Sequence, residues 1–134
     1  MDWSDLVGVT VKGAGRGSAS YRMAININAG KVITFNVAFL RDYAKNYDET
    51  LYKWLHVRYS KKNNALVFQP VMEDYQELKY KLSDTSYGER KTISAKGLVR
   101  DFGLEDVNDS YFLSHETIDG VLCYVAFLDF PINR

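Results

Sequence analysis

A faint internal repeat constrains this chain more than any other feature. Sliding the sequence by 59 residues lays Tyr21-Arg22-Met23 on Tyr80-Lys81-Leu82 and Arg41-Asp42-Tyr43 on Arg100-Asp101-Phe102. The same shift lays Tyr52 on Tyr111 and His56 on His115, with no gap between residues 21 and 60. These matches fall at the same places in a strand, helix, strand pattern. Two copies of one unit within 134 residues predict a pseudo-twofold molecule sharing one core. Such molecules usually bind rather than catalyse, so the repeat bears on architecture first and on function only through it.

Hydrophobic periodicity supplies the elements. Val7, Val9 and Val11 alternate with Gly8, Thr10 and Lys12 as in a strand, and Gly13 to Ser20 reads as a loop. Tyr21, Met23, Ile25 and Ile27 then alternate with small or polar residues. Asn28-Ala29-Gly30-Lys31 has turn chemistry and Val32 to Phe35 resumes a strand, which makes a hairpin. Asn36 is placed to cap a helix whose apolar positions, Val37, Leu40 and Ala44 with Tyr43 and Tyr47, recur at three and four, and Asn46 is its expected left-handed stop. Leu51 to Tyr59 alternates again, Ser60 to Asn64 turns, and Ala65 to Val71 returns, with Pro70 marking an end or an edge.

A polar connector, Glu73 to Leu78, with room for one or two helical turns, leads into the second unit. That unit runs through a strand at Lys79 to Leu82, a loop from Ser83 to Gly88, and a short strand at Arg90 to Ile93. A helix capped by Ser94 then runs through Phe102 and stops at Gly103-Leu104. The last hairpin joins Tyr111 to Ile118 with Val121 to Leu128 through Asp119-Gly120, the pair that favours a type I′ turn. The units, about 21–71 and 80–128, are each hairpin, helix, hairpin. The expected fold over residues 1–134 is therefore one compact α+β domain, a mainly antiparallel sheet or barrel built from two pseudo-equivalent units.

Charge removes the simplest argument for a nucleic-acid partner. Lys plus Arg and Asp plus Glu number 17 each, so no global positive field gathers phosphates. Cys123, the sole cysteine, excludes an intrachain disulfide and sits in the apolar run Val121 to Leu128, where a thiol acts as a small hydrophobe. The acidic start, Met1-Asp2-Trp3-Ser4-Asp5, does not read as a secretory leader, and no apolar run reaches membrane-spanning length. A cytoplasmic setting without membrane partner or cofactor is expected.

The segment Asn28 to Asn36, a short helix, then Leu55-His56-Val57-Arg58-Tyr59 and Ala65 to Val71 resemble the swapped-hairpin DNA-binding domains of the AbrB and MazE kind. Lys91-Thr92-Ile93-Ser94 through Phe102-Gly103-Leu104 is similar around its helix end. The likeness covers residues 21–71 and 90–128 and implies DNA rather than RNA as ligand, with two units in one chain replacing that family's homodimer. Two departures stand out. Tyr47 to Tyr52 lengthens the link after the helix, and the family's basic hairpin rim is reduced to Lys31 and Arg41. The style of the chain, rich in Lys, Asn and Tyr, also resembles early proteins of phages infecting Gram-positive bacteria.

Strand alternation predicts Tyr52, Trp54, His56 and Arg58 on one face and Leu51, Leu55, Val57 and Tyr59 on the other. The first set mixes rings with positive charge, which suits a single-strand platform: rings stack on bases and guanidinium groups meet phosphates. The competing reading packs Trp54 and Tyr52 under the connector or against the other unit. Lys61 and Lys62, beside Asn63 and Asn64, form a basic turn that reaches phosphate or simply stands in solvent. Gly13-Ala14-Gly15-Arg16-Gly17-Ser18 lacks the ending of a phosphate-binding loop, which leaves Arg16 either on a basic arm that tracks a nucleic-acid backbone or in an ordinary loose loop. Arg41-Asp42 and Arg100-Asp101 are expected to fix how the units dock. His56 and His115 have no further metal-ligand pattern around them, and no residues group as nucleophile, base and acid.

The reading is therefore a non-enzymatic nucleic-acid-binding protein, regulatory or single-strand-binding, that uses Arg16, Tyr52, Trp54, Arg58, Lys61 and Lys62. The alternative is a protein-interaction module, in keeping with zero net charge and ten tyrosines. Open strand edges would be a route to a homodimer.

Overall fold

The structure, a computed structural model, describes residues 22–29, 31–84 and 90–132. Arg16 and the strand expected over residues 7–11 lie outside them. Strands β1 (Ala24–Ile27) and β2 (Val32–Phe35) lead into helix α1 (Val37–Asn46), followed by β3 (Trp54–Ser60) and β4 (Ala65–Val71). Strands β5 (Tyr80–Lys81), β6 (Ser83–Asp84) and β7 (Lys91–Ser94) precede helix α2 (Lys96–Asp101), and β8 (Ser110–Ile118) and β9 (Val121–Pro131) complete the order.

All the strand pairs are antiparallel and form one sheet in the order β5-β3-β4-β9-β8-β1-β2-β7-β6. The terminal strands of that order, β5 and β6, are separated in sequence by Leu82 alone. Both edges of the sheet thus end on one short stretch of chain, and the sheet curls into a nearly closed barrel. Leu82 donates its N–H to the Lys53 carbonyl at 2.9 Å and buries its side chain. The fold is α+β and mainly antiparallel, as the periodicity predicts.

Local chemistry explains the turns. Asn36 Oδ1 accepts from the Phe39 N–H at the start of α1 and from the Ala24 N–H, both at 3.1 Å, while its Nδ2 donates to the Arg22 carbonyl. One side chain therefore caps the helix and ties it to β1. Asp119 (φ 53°) and Gly120 (φ 79°) form the tight turn their types favour, and Gly103 (φ 70°) ends α2. Asn64 (φ 48°) shapes the β3–β4 turn and is held by Tyr59 Oη, which donates to its Oδ1 at 2.6 Å.

Four local expectations differ from the structure. Ser94 ends β7, and the residue before α2 is Ala95, which has no side-chain oxygen to offer. Asn46 stays helical and Tyr47 leaves in an extended conformation, so no left-handed stop is needed. Residues 72–79 turn without forming a helix. Ser83 and Asp84, expected in a loop, form β6 against β7. Pro70 lies one residue from the end of β4, where pairing with β9 has already stopped at Phe68, so its missing N–H is harmless at the end or edge its type marks.

The main core fills the barrel and the space beneath α1 and α2 with residues such as Ile25, Ile33, Phe35, Leu55, Phe68, Ile93, Leu98 and Tyr124. Phe39 of α1 is its hub. Its ring lies 4.6 Å from Phe35, 5.3 Å from Tyr43 and 4.9 Å from Tyr124 (centroid distances). A second buried cluster, Ala65, Val67, Cys123, Val125 and Phe127, occupies the opposite face of β4 and β9.

These faces decide how far the repeat can be read without gaps. A shift of 59 sends the core residues Ile33, Phe35, Leu66 and Phe68 onto Thr92, Ser94, Val125 and Phe127, which point the other way. Because side chains alternate, a one-residue error in a strand reverses every one of them. No described helix is long and apolar enough to cross a membrane.

Candidate binding surface around Trp54

The outer face of β3 carries Trp54, His56 and Arg58, while Leu55 and Val57 turn into the core. That alternation is the one the sequence predicts. The residues just before the strand behave differently. Tyr52 precedes β3, packs against the main core and meets Tyr47 edge to face at 4.9 Å, so its ring does not extend the Trp54 face. Its carbonyl accepts from Tyr43 Oη at 2.6 Å. Leu51, expected on the core face, is instead 53% exposed.

The connector lies over this face. Tyr75 sits 5.1 Å from the His56 ring, and His56 Nδ1 is 3.0 Å from the Leu78 carbonyl. Lys79 and Lys81 place their Nζ atoms 5.8 and 5.9 Å from the centroid of the Trp54 ring. On the β4 side, Trp54 borders a groove of about 330 Å³ together with Leu51, Lys53, Met72, Glu73 and Asp74. Met72 is 38% exposed there.

Arg58 is partly buried, and its Nη2 donates to Gln69 Oε1 at 3.4 Å. It lies close enough to Cys123 to pull that thiol's pKa down, although burial, the larger effect, leaves it raised. Lys61 and Lys62 are exposed in the turn after β3, about 20 Å from Trp54 at the usual strand rise. The expected contacts are therefore spread along a strand: Trp54 at one end, Arg58 tethered in the middle, and the lysine pair at the other.

Sequence reasoning missed the groove because two of its walls come from segments read as connector and core. The apolar residues Leu51 and Met72 flanking the strand ends were the available signal.

A separate polar cluster joins α1 to the last hairpin. Asp42 Oδ1 accepts from Tyr124 Oη at 2.9 Å and Asn46 Nδ2 at 2.9 Å, and His115 Nε2 lies 2.7 Å away. Asp101, its counterpart in the repeat, instead meets the adjacent Arg100 in an exposed pair. The repeated Arg-Asp motif thus does two different jobs. Asp42→Ala strands the hydroxyl of the buried Tyr124, so it should cost about 1–3 kcal/mol in urea unfolding, and Asp42→Asn, which keeps an acceptor, distinctly less.

Burial is the main cause that raises the pKa of Tyr43, Tyr47 and Tyr124, Tyr47 to about 12. For Tyr124 the bond to Asp42 adds to it. A raised folded-state value favours the protonated fold. Stability should be complete below the ordinary tyrosine value near pH 10 and fall as pH rises towards 12, which urea midpoints at pH 8 and pH 11 would reveal.

Among the described residues no group of three or more His, Cys, Asp or Glu side chains is placed to hold a metal ion. No protein-family model, curated protein or solved structure matches this chain.

Proposed function

We propose that this chain is a non-enzymatic binding protein that docks a partner protein on the surface around Trp54. The observation that carries the reading is the groove itself: half-exposed Leu51 and Met72 beside the partly buried indole of Trp54, rimmed by charge. Apolar side chains held open next to an aromatic are the makings of an interface centre. Three facts weigh against a phosphate track here. Tyr52 belongs to the core rim, Arg58 is tethered to Gln69, and the connector brings Glu73, Asp74 and Glu77 to this face.

The immobilised protein should retain the same partner from nuclease-treated and untreated extract. Leu51→Asp should abolish retention while Lys61→Glu with Lys62→Glu leaves it intact. Loss on nuclease treatment would reject the proposal.

Nucleic-acid binding is the second reading, favoured by Lys79 and Lys81 beside Trp54 and the exposed Lys61 and Lys62. A base stacked on Trp54 would contribute about 1–3 kcal/mol. That reading requires single-stranded oligonucleotide binding at low salt that weakens steeply as salt rises.

We also infer that the two halves descend from one unit, in a frame of 58 residues across the main strands rather than 59. Two directly opposed pairs, Val67 with Val125 and Thr34 with Thr92, each differ by 58 in number and sit on opposite walls of the barrel. A twofold axis through both pairs exchanges Leu66–Ala126 with Phe68–Tyr124 and Ile33–Ile93 with Phe35–Lys91, keeping every face. Trp54 and Phe112 are likewise 58 apart. Each is overlaid by a cation from the residues just before the strand alongside: Lys79 before β5, and Arg22 before β1, the latter 3.9 Å from the ring centroid. One extra residue, Ser94, lies between Ile93, which matches Phe35 at 58, and Ala95, which takes the place of Asn36 before the helix, and it restores a shift of 59 within the helices, where the Arg-Asp match lies.

A further inference from the structure

We infer that the groove beside Trp54 selects a cationic apolar element: an aliphatic or aromatic side chain with a Lys or Arg close to it on the partner. This rests on the protein-docking reading above. Trp54, Leu51 and Met72 make the site apolar, which supplies affinity without direction. Direction comes from the rim. Glu73 and Asp74, both exposed, follow β4 along one wall. The turn that leads into Leu51 carries Asp48 and Glu49, also exposed.

The Asp48 carboxylate is fixed in place. Its Oδ1 accepts from the Thr50 N–H at 3.0 Å and from Thr50 Oγ1 at 2.5 Å, and these bonds hold its pKa below the ordinary carboxylate value. Asp48 is therefore a permanent negative charge at neutral pH.

Among the described residues Lys53 is the one cation that lines the groove. Lys79 and Lys81 come from β5 and its approach, on the edge of β3 opposite β4, so they flank the indole from the other side. A positive group entering beside Met72 meets carboxylates, and an anion entering there meets the same carboxylates as repulsion. Charge of this kind sets partner choice more than raw affinity.

Two small probes of matched size separate the possibilities. The intact protein is titrated with 2-phenylethylammonium and, separately, with phenylacetate, and amide and indole signals are followed by NMR. Both should move the signals of Leu51, Trp54 and Met72, with the ammonium binding at least about threefold more tightly. The Glu73→Gln, Asp74→Asn double variant should keep the rest of its spectrum and lose the difference between the probes. Equal binding, or tighter binding of phenylacetate, would overturn the charge preference while leaving the groove as a docking site, and would direct attention to acidic partners and nucleic acid. Silence of those signals with both probes would overturn the docking reading as well.

Discussion

Phe39→Ala should lower stability by about 3–5 kcal/mol, the upper range for truncating a buried side chain. Phe39 has no exposed surface and is enclosed by Phe35, Tyr43 and Tyr124. Those neighbours belong to three different elements, β2, α1 and β9. Their positions are set by the sheet and by hydrogen bonds such as Tyr124 Oη to Asp42, so they cannot collapse into the space. The cost is then the lost transfer of the ring plus an open cavity. Phe39→Leu fills much of that volume and should cost clearly less. Chemical denaturation at neutral pH measures both, and near-equal midpoints for Phe39→Ala and the parent would mean that α1 does not seal the barrel.

Leu82→Asp should cost about 3–5 kcal/mol through a different route. Leu82 is the residue between β5 and β6, and it is buried where the two edges of the sheet come together. The strands on either side are short. β5 contributes two residues opposite Trp54 and Leu55, and β6 two residues opposite Thr92 and Lys91. The Lys91–Asp84 ion pair at 3.3 Å is exposed and adds little. A carboxylate at position 82 removes a buried apolar anchor of the closure and places a charge in the core. Amide exchange should locate the damage: faster exchange at residues 80–84 first, with the β4–β9 pairing protected longest. Uniform loss of protection throughout would show that closure is not a separable part of the fold.

Much of this architecture is legible in the sequence because period-two and helical spacings respond directly to burial. Asn36 and Gly103 announce the ends of helices, and Asp119-Gly120 announces a turn, since each residue type answers a specific backbone need. What was not legible involves tertiary partners. Tyr52 falls in alternation with Trp54, yet it precedes the strand and is drawn to Tyr43 of α1 and to Tyr47, just past its end. Leu51 reads as core by the same alternation and lies exposed, because it stands in the turn before the strand begins. Sequence identity selected a shift of 59 from matches inside and outside the helices alike, Arg41-Asp42 with Arg100-Asp101 but also Tyr52 with Tyr111 and His56 with His115. Identity is blind to which way a side chain points, and across the strands that shift reverses the faces.

The carboxylate network is a similar case. Asp42 looked like half of a repeated ion pair, but besides Asn46 of its own helix its partners come from β8 and β9, more than seventy residues away. Nothing in the local pattern of α1 specifies the distant two. The Trp54 groove has the same origin: its walls meet only after β3 and β4 pair, since Val71 comes to lie opposite Trp54 and carries Met72, Glu73 and Asp74 with it.

Site-specific photo-crosslinking tests the protein-docking account most directly. A benzophenone amino acid is placed at position 51, beside the groove, and in a second variant at position 62, in the turn at the far end of β3. The account expects nuclease-resistant crosslinks to protein from position 51 and none above background from position 62. Crosslinks that form from position 62 and vanish with nuclease, with position 51 silent, would contradict it.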